Sequence, residues 1–107
     1  MVNIAGKRTS LSHLNYHLNA IDGVQDGAFA IAEESDTGAI DRLIAFAVAP
    51  ERGAEYILAE LRRRIDIAFL PRPLCIVPAL PRNALGKLPR EDIRRLIAES
   101  REGRHFV

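Results

Sequence analysis

The sequence has little of what marks secreted, membrane-spanning or disulfide-rich proteins. Cys75 is its one cysteine, so no internal disulfide can form. Because Cys75 lies in an apolar run, we expect a buried structural thiol and a reducing, cytoplasmic compartment. No apolar run approaches the roughly 20 residues of a transmembrane helix, and the N-terminus does not resemble a signal peptide. The sequence therefore predicts no membrane partner.

An excess of charge of one sign is also lacking. Lysine and arginine number 15 against 14 acidic residues, which leaves a formal net charge of +1. Such a chain has no global field to attract nucleic acid, and it carries no aromatic cluster on which bases could stack. We therefore expect no nucleic-acid partner, and any basic site must be local.

The pattern of apolar residues predicts a small α+β domain. The chain has 107 residues, which fits one domain. We expect a small three-stranded sheet with packed helices and a minor N-terminal hairpin, with residues 74–77 as a central strand. The predicted elements are a strand turning at Gly6, a helix from Ser10 to Asp22-Gly23, strands at 28–33 and 42–49 joined by a turn at 36–38, a helix at 54–68, a strand at 74–77 and a last helix after Pro89.

The loop before the last predicted helix carries the most specific pattern. A lysine after a glycine suggests a phosphate-binding P-loop, but that motif needs a glycine where Pro81 stands and a hydroxyl residue where Leu88 stands. What remains is Lys87 beside the flexible Gly86, with prolines on both sides. A lysine ammonium suits a phosphate or carboxylate oxygen. On spacing alone, an exposed solvated lysine is the simpler interpretation.

Two further groups of polar residues have more than one interpretation. His13 and His17 lie four residues apart on a predicted helix, a spacing that can bind a metal, but no third ligand is near. We therefore expect exposed histidines and no metal site. Arg62, Arg63 and Arg64 form either a solvated helix face or a set of phosphate contacts.

Residues near both ends of the chain resemble one enzyme family. The run from Leu80 to Arg90 closely resembles the last core motif of adenylate-forming enzymes, which include acyl-CoA synthetases, peptide-synthetase adenylation domains and firefly luciferase. The run from Ile4 to Arg8 looks like the motif that follows the hinge in those enzymes. The resemblance implies that residues 1–107 form a C-terminal lid subdomain whose partner is a large N-terminal ATP-binding domain. The sequence around Gly6 is similar to that of synthetases from aryl-polyene or xanthomonadin-type pigment clusters.

The resemblance also implies a reaction and residues that serve it. In that family the large domain binds ATP, with Mg²⁺, and the carboxylic acid. Lys87 would be catalytic, contacting the carboxylate and the α-phosphate while the acyl-adenylate forms. The lid would then rotate, and the thiol of coenzyme A or of a carrier protein would attack. Gly6, Arg8 and Gly86 would bind cofactor at the thiol channel and the lysine loop, and residues 62–64 would contact coenzyme A phosphates.

The chain departs from the family pattern at several positions. Asn3 replaces a usual lysine, and His13 and Asn15 replace usual glutamates that help to anchor the first helix. The ATP-binding domain is absent from the sequence, so we expect this polypeptide alone to be inactive. The alternatives are a non-catalytic module that binds a partner domain or coenzyme A, and a chain that acts in trans with a separate large domain. The acid substrate cannot be read from this chain.

Overall fold

The computed structural model describes residues 2–34 and 40–101, and within them it confirms the α+β prediction. The described elements form a three-stranded sheet, a two-stranded hairpin and three α-helices. The turn predicted at 36–38 lies outside the described residues. The elements are β1 (Val2–Ile4), β2 (Lys7–Thr9), α1 (Leu11–Asn19), β3 (Asp26–Glu34), β4 (Ile40–Val48), α2 (Ala54–Arg62), a 3-10 turn (Ile67–Phe69), β5 (Leu74–Ile76) and α3 (Arg90–Arg101).

The sheet has the strand order β3-β4-β5, so β4 is its central strand. β3 pairs with β4 antiparallel, whereas β5 pairs with β4 parallel, and α2 lies in the crossover between them. The prediction that residues 74–77 form a central strand is therefore wrong. Physically, β4 has the unbroken buried run Leu43 to Ala47 that burial on both faces requires. β5 is short and lies between Pro73 and Pro78, which cannot donate ladder hydrogen bonds.

The two faces of the sheet carry separate hydrophobic clusters. On one face α1 and α2 pack through side chains that are almost fully buried, and on the other face α3 covers the sheet. This division explains why β4 is apolar on both faces. The first cluster includes Leu14, Leu18, Phe29, Leu43, Ile57 and Leu61, and the second includes Ala30, Ile44, Phe46, Val77 and Leu96.

Helix α1 begins where the sequence predicts, after Ser10, but it ends at Asn19, before the predicted stop at Asp22-Gly23. The hydroxyl of Ser10 accepts a hydrogen bond from the backbone N–H of His13 at 3.0 Å, which caps the helix. Leu14 and Leu18, four residues apart, are fully buried against the sheet. The chain turns away at Gly23, whose φ is +94°. Gly23 thus marks a turn beyond the helix, whose own C-cap is Ala20.

Helix α2 is shorter than predicted, because it ends at Arg62 and not at residue 68. Asp66 has an extended backbone, and its Oδ1 accepts a hydrogen bond from the N–H of Ala68 at 2.9 Å. This side chain caps the separate 3-10 turn, which buries Phe69. Apolar residues therefore keep their helical spacing after Arg62, although the α-helix ends there.

Two remaining observations concern helix length and the thiol of Cys75. None of the helices in the described ranges is long and apolar enough to cross a membrane. Cys75 on β5 is half-buried. The prediction of a buried thiol is therefore only partly met, because β5 lies at an edge of the sheet. Partial burial still raises the pKa of its thiol, because the thiolate is poorly solvated there.

Candidate functional site

The loop that holds Lys87 is closed by hydrogen bonds to Asn83. The side-chain oxygen of Asn83 accepts from the backbone N–H of Leu85 at 2.9 Å and of Lys87 at 3.0 Å. The backbone N–H of Asn83 donates to the carbonyl of Lys87 at 2.8 Å, and Gly86 N–H donates to the carbonyl of Asn83 at 2.9 Å. Gly86 has a φ of +79°, which favours glycine. The backbone around Lys87 is thus fixed locally.

Arg82 ties this loop to the sheet. Its Nε and Nη2 donate to the two carboxylate oxygens of Asp26, the first residue of β3, at 2.8 and 2.9 Å. Its Nη1 donates to the carbonyl of Gly86 at 3.0 Å. The hydrogen bonds to Asp26 raise the pKa of Arg82 above its already high ordinary value. One guanidinium group therefore links the first sheet residue to the peptide that precedes Lys87.

The side chain of Lys87 is exposed to solvent. No ion pair or side-chain hydrogen bond holds its ammonium group among residues 2–34 and 40–101. Leu85, at the tip of the same loop, is 82% exposed. The loop therefore presents a cation and an apolar side chain outward on a fixed backbone.

The turn at Gly6 joins β1 and β2 and is also exposed. Ala5 and Gly6 have φ values of +53° and +79°, as two-residue hairpin turns require. A side chain at Gly6 would meet nothing within 4 Å, so the surface there is open. Arg8 lies on β2 with an exposed side chain. Lys7, between them, donates a hydrogen bond to Asp66.

The three consecutive arginines do not act as one group. Arg63 pairs with Glu60 at 3.4 Å, and Arg64 lies close enough to His17 to lower the pKa of that imidazole. Arg62 lines a surface pocket of about 430 Å³ together with Arg42 and Arg72. Arg42 and Arg72 come from different segments of the chain, so the spacing of residues in the sequence does not predict that they lie beside Arg62. The walls between these arginines are apolar, formed mainly by Ile4, Leu43, Leu58, Ile67, Leu70 and Pro71.

The two histidines of α1 lie in contact but differ in exposure. Their ring centroids are 4.6 Å apart, and the rings are nearly perpendicular. His13 is exposed as predicted, whereas His17 is half-buried, and its Nδ1 is buried without a hydrogen-bond partner in the described structure. Burial, then the charges of His13 and Arg64, lower the pKa of His17. Within the described ranges no three His, Cys, Asp or Glu side chains gather to hold a metal ion.

Asn15, which the sequence resemblance matches to a glutamate, anchors α1 to the edge of the sheet. Its Oδ1 accepts a hydrogen bond from the backbone N–H of Phe29 at 2.7 Å. Asn19, one turn later, donates to the carbonyl of Gly27 at 2.9 Å. These bonds satisfy backbone groups on the side of β3 that no strand of the described residues covers. Asn15 therefore provides a polar link between helix and strand.

The fold is that of the C-terminal domains of acyl-CoA synthetases. The structure matches a fatty acyl CoA synthetase from Mycobacterium tuberculosis with a TM-score of 0.74 at 20% identity, covering 94% of this chain and 20% of that chain. It matches apo MatB from Rhodopseudomonas palustris with a TM-score of 0.71 at 21% identity, covering 89% of this chain and 19% of that one. No protein-family model matches the sequence.

Sequence similarity identifies a more particular relative. The chain is 32% identical over 113 aligned residues to acetyl-coenzyme A synthetase from Mycolicibacterium smegmatis, which covers 99% of this chain and 11% of the relative. It is 33% identical over 106 residues to acetyl-coenzyme A synthetase from Mycobacterium tuberculosis, covering 95% of this chain and 16% of the relative. The chain thus spans between about a tenth and a fifth of the proteins it matches. Together these similarities support the adenylate-forming superfamily.

Proposed function

We propose that this chain is the mobile C-terminal lid, residues 1–107, of an AMP-forming acyl-CoA synthetase. The complete enzyme would activate a carboxylic acid with ATP to an acyl-adenylate and pass the acyl group to coenzyme A or a carrier thiol. The observation that carries the proposal is Lys87, an exposed cation on a loop whose backbone is fixed by Asn83 and Arg82. The large ATP-binding domain is the main partner, and it would hold ATP and Mg²⁺.

The proposed role of Lys87 follows from charge. In adenylate formation a carboxylate must approach an anionic α-phosphate, and the two repel each other. A fixed ammonium group between them offsets that repulsion, and removing one preorganised charge of this kind costs about 3–4 kcal/mol in the barrier. Gly86 supports this role because its left-handed φ lets the loop turn immediately before Lys87.

The second half-reaction would use the other exposed turn. After lid rotation, Gly6 would lie at the thiol channel, where the absence of a side chain leaves room for the thiol arm of the acceptor. Arg8, exposed on β2, would face the same channel. One lid would thus serve two steps through a hinge motion.

The phosphate contacts expected from the arginine run are best supported for Arg62. It lines the pocket together with Arg42 and Arg72, and a guanidinium group beside apolar walls suits a phosphate attached to a larger organic group. Arg42 is already engaged, because its Nη1 donates to the carbonyl of Arg72 at 2.8 Å. Arg63 has a carboxylate partner in Glu60, and Arg64 lies beside His17. We therefore propose coenzyme A phosphate contacts chiefly for Arg62.

The test replaces the matching C-terminal segment of the M. tuberculosis acetyl-coenzyme A synthetase with this chain. In that chimera Lys87→Ala should reduce the rate of adenylation, measured by pyrophosphate exchange, about 100-fold or more. Thioester formation from preformed acyl-adenylate should continue. Arg94→Ala, an exposed cation on α3, is the matched control and should leave both steps unchanged. An inactive wild-type chimera, or equal losses in both half-reactions for Lys87→Ala, would contradict the proposal.

The isolated chain provides a second test. It lacks residues for an enclosed ATP and acid pocket, so it should release no pyrophosphate from ATP and an acid. Ordinary turnover by the 107-residue chain would overturn the lid assignment. A cytoplasmic location stays a prediction, and the relatives found are acetyl-coenzyme A synthetases, so the pigment-cluster subfamily gains no support.

A non-catalytic interaction module is the alternative, and one observation fits it as well as the lid. Ile67 and Leu85 are 75% and 82% exposed, which is a large exposure for apolar side chains that could contact a partner domain. The reading frame upstream of residue 1 distinguishes the two functions. A stop codon directly upstream would favour the module, whereas an ATP-binding domain encoded upstream in frame would favour the lid.

A further inference from the structure

We propose that Arg82 and Asp26 are positioning residues that set the direction in which Lys87 points. The inference rests on the proposed function, because it deepens the role of Lys87 in adenylation. Neither residue would touch the substrate. Their effect would pass through the carbonyl of Gly86, which Arg82 holds at 3.0 Å, to the lysine that follows it.

The geometry separates the shape of the loop from its orientation. Asn83 closes residues 83–87 into a ring through hydrogen bonds within the loop. These bonds fix the shape of the ring but do not attach it to the sheet. Arg82 makes that attachment, because its guanidinium group holds Asp26 on β3 with two nitrogens and Gly86 with the third. Without it, the ring could pivot about the segments on either side.

The ion pair between Arg82 and Asp26 has a geometry that can fix the orientation of the loop. A guanidinium group bound to both oxygens of a carboxylate has one preferred plane, which a single lysine contact would not define. The side chains of Arg82 and Asp26 are 34% and 32% exposed, so neighbouring atoms restrict their movement while solvent still reaches them. Asp26 itself lies in the β3–β4 ladder opposite Val48. The ion pair therefore attaches the lysine loop to a strand of the sheet.

The expected effect is on adenylation and not on thioester transfer. A shift of about 1 Å in a catalytic group can cost about 100-fold in rate. In the chimera, Arg82→Met and Asp26→Asn should each lower the kcat of adenylation by about 10- to 100-fold. The double variant should lose no more than the stronger single one, because both changes remove the same contact. Transfer from preformed acyl-adenylate should stay within about twofold of the wild type.

A charge exchange distinguishes positioning from simple stability. The double variant Asp26→Arg with Arg82→Asp restores an ion pair, but aspartate cannot donate to the carbonyl of Gly86. We expect it to recover the melting temperature without recovering adenylation. The matched control is Arg52→Met, which breaks the surface pair of Arg52 with Asp22, at 3.1 Å, far from the lysine loop in the chain. That control should leave adenylation unchanged.

A measurement on the 107-residue chain needs no catalysis. ¹⁵N relaxation should show greater motion at Gly86 and Lys87 in Arg82→Met than in Arg52→Met, because the ring pivots. Amide hydrogen exchange at the same two residues should stay slow, because their N–H groups are bonded to Asn83. Unchanged relaxation at both residues would overturn the inference, as would wild-type adenylation in Arg82→Met or an equal loss of both half-reactions. If Lys87→Ala kept full adenylation, the proposed function would fail, while the relaxation data would still report whether Arg82 orients the loop.

Discussion

Lys7 donates a hydrogen bond from Nζ to Oδ2 of Asp66 at 2.7 Å, across 59 residues of sequence. Lys7 follows directly after Gly6, and Asp66 also caps the 3-10 turn through Ala68. The ion pair thus connects the exposed hairpin turn to the segment that follows α2. Each of the two motif loops therefore has an ion pair that ties it to the rest of the fold, Lys7 to Asp66 for one and Arg82 to Asp26 for the other.

The chain has two lysines, Lys7 and Lys87, and they should differ in reactivity toward amine reagents. Lys7 must leave Asp66 before it can react, whereas the ammonium group of Lys87 faces solvent. Acetylation with a limiting reagent, read by peptide mass spectrometry, should therefore modify Lys87 a few-fold faster. Asp66→Asn should raise the rate at Lys7 and leave Lys87 unchanged. A faster reaction at Lys7 in the wild type would contradict the observed pairing.

Stability should depend on Asp66 in a defined pH range. The hydrogen bond from Lys7, and then that from the N–H of Ala68, lower the pKa of Asp66 below its ordinary value of 3.8. Because the folded-state pKa is depressed, the stabilisation is fully present above 3.8 and is lost as the pH falls through the lower folded value. The melting temperature of Asp66→Asn should lie below that of the wild type at neutral pH.

Acidification provides the control for that prediction. The gap between wild type and Asp66→Asn should narrow once the pH drops below 3.8. Asp22→Asn, at an exposed carboxylate that pairs with Arg52, serves as the comparison variant. A gap that stayed constant down to strongly acidic pH would show that the charge on Asp66 is not what stabilises the fold.

His17 should make the fold less stable in mild acid. Burial, then His13 and Arg64, lower its pKa from the ordinary 6.5, so the unfolded chain takes up a proton before the folded chain does. The melting temperature should therefore fall as the pH drops below 6.5 toward the folded value. His17→Gln should flatten this part of the curve in a pH series of thermal melts. An unchanged slope in that variant would assign the effect to another group.

Asn15 should contribute measurably to the free energy of unfolding. Asn15→Leu removes the acceptor for the N–H of Phe29 and leaves a backbone donor unpaired beside the core, which costs about 1–3 kcal/mol. Asn15→Asp keeps an acceptor oxygen and should lose clearly less. Asn3→Ala, on the exposed side of β1, should change the unfolding free energy by no more than about 0.5 kcal/mol. Urea denaturation measures all three, and equal losses in the two Asn15 variants would contradict the acceptor role.

Local patterns were sufficient to predict α1 and the position of Lys87. Leu14 and Leu18 recur at helical spacing, Ser10 offers a cap, and Gly86 marks a turn, so neighbours in sequence determine each feature. The order of strands was not predictable in this way. Whether β5 takes the central or an edge position in the sheet depends on how the crossover packs. No short stretch of sequence contains that information.

Long-range side-chain contacts account for what the sequence analysis missed at the site. The pairing of Arg82 with Asp26 spans 56 residues, and Arg42 and Arg72 meet Arg62 only after the chain has folded. Helix α2 was predicted too long for a different reason. Apolar residues keep their helical spacing past Arg62, but the carboxylate of Asp66 offers the backbone a competing local partner.

The parallel pairing of β4 with β5 also affects the order in which the protein can assemble. During synthesis β3 and β4 are neighbours in sequence and can pair early, whereas β5 must wait for the crossover that contains α2. Arg82 follows β5, so the contact with Asp26 closes a long stretch of chain and carries the entropy cost of that closure. We expect the lysine loop to reach its native arrangement only after β5 has joined the sheet. An incompletely folded chain would then lack an ordered Lys87, so the role that we propose for this residue would depend on the docking of β5.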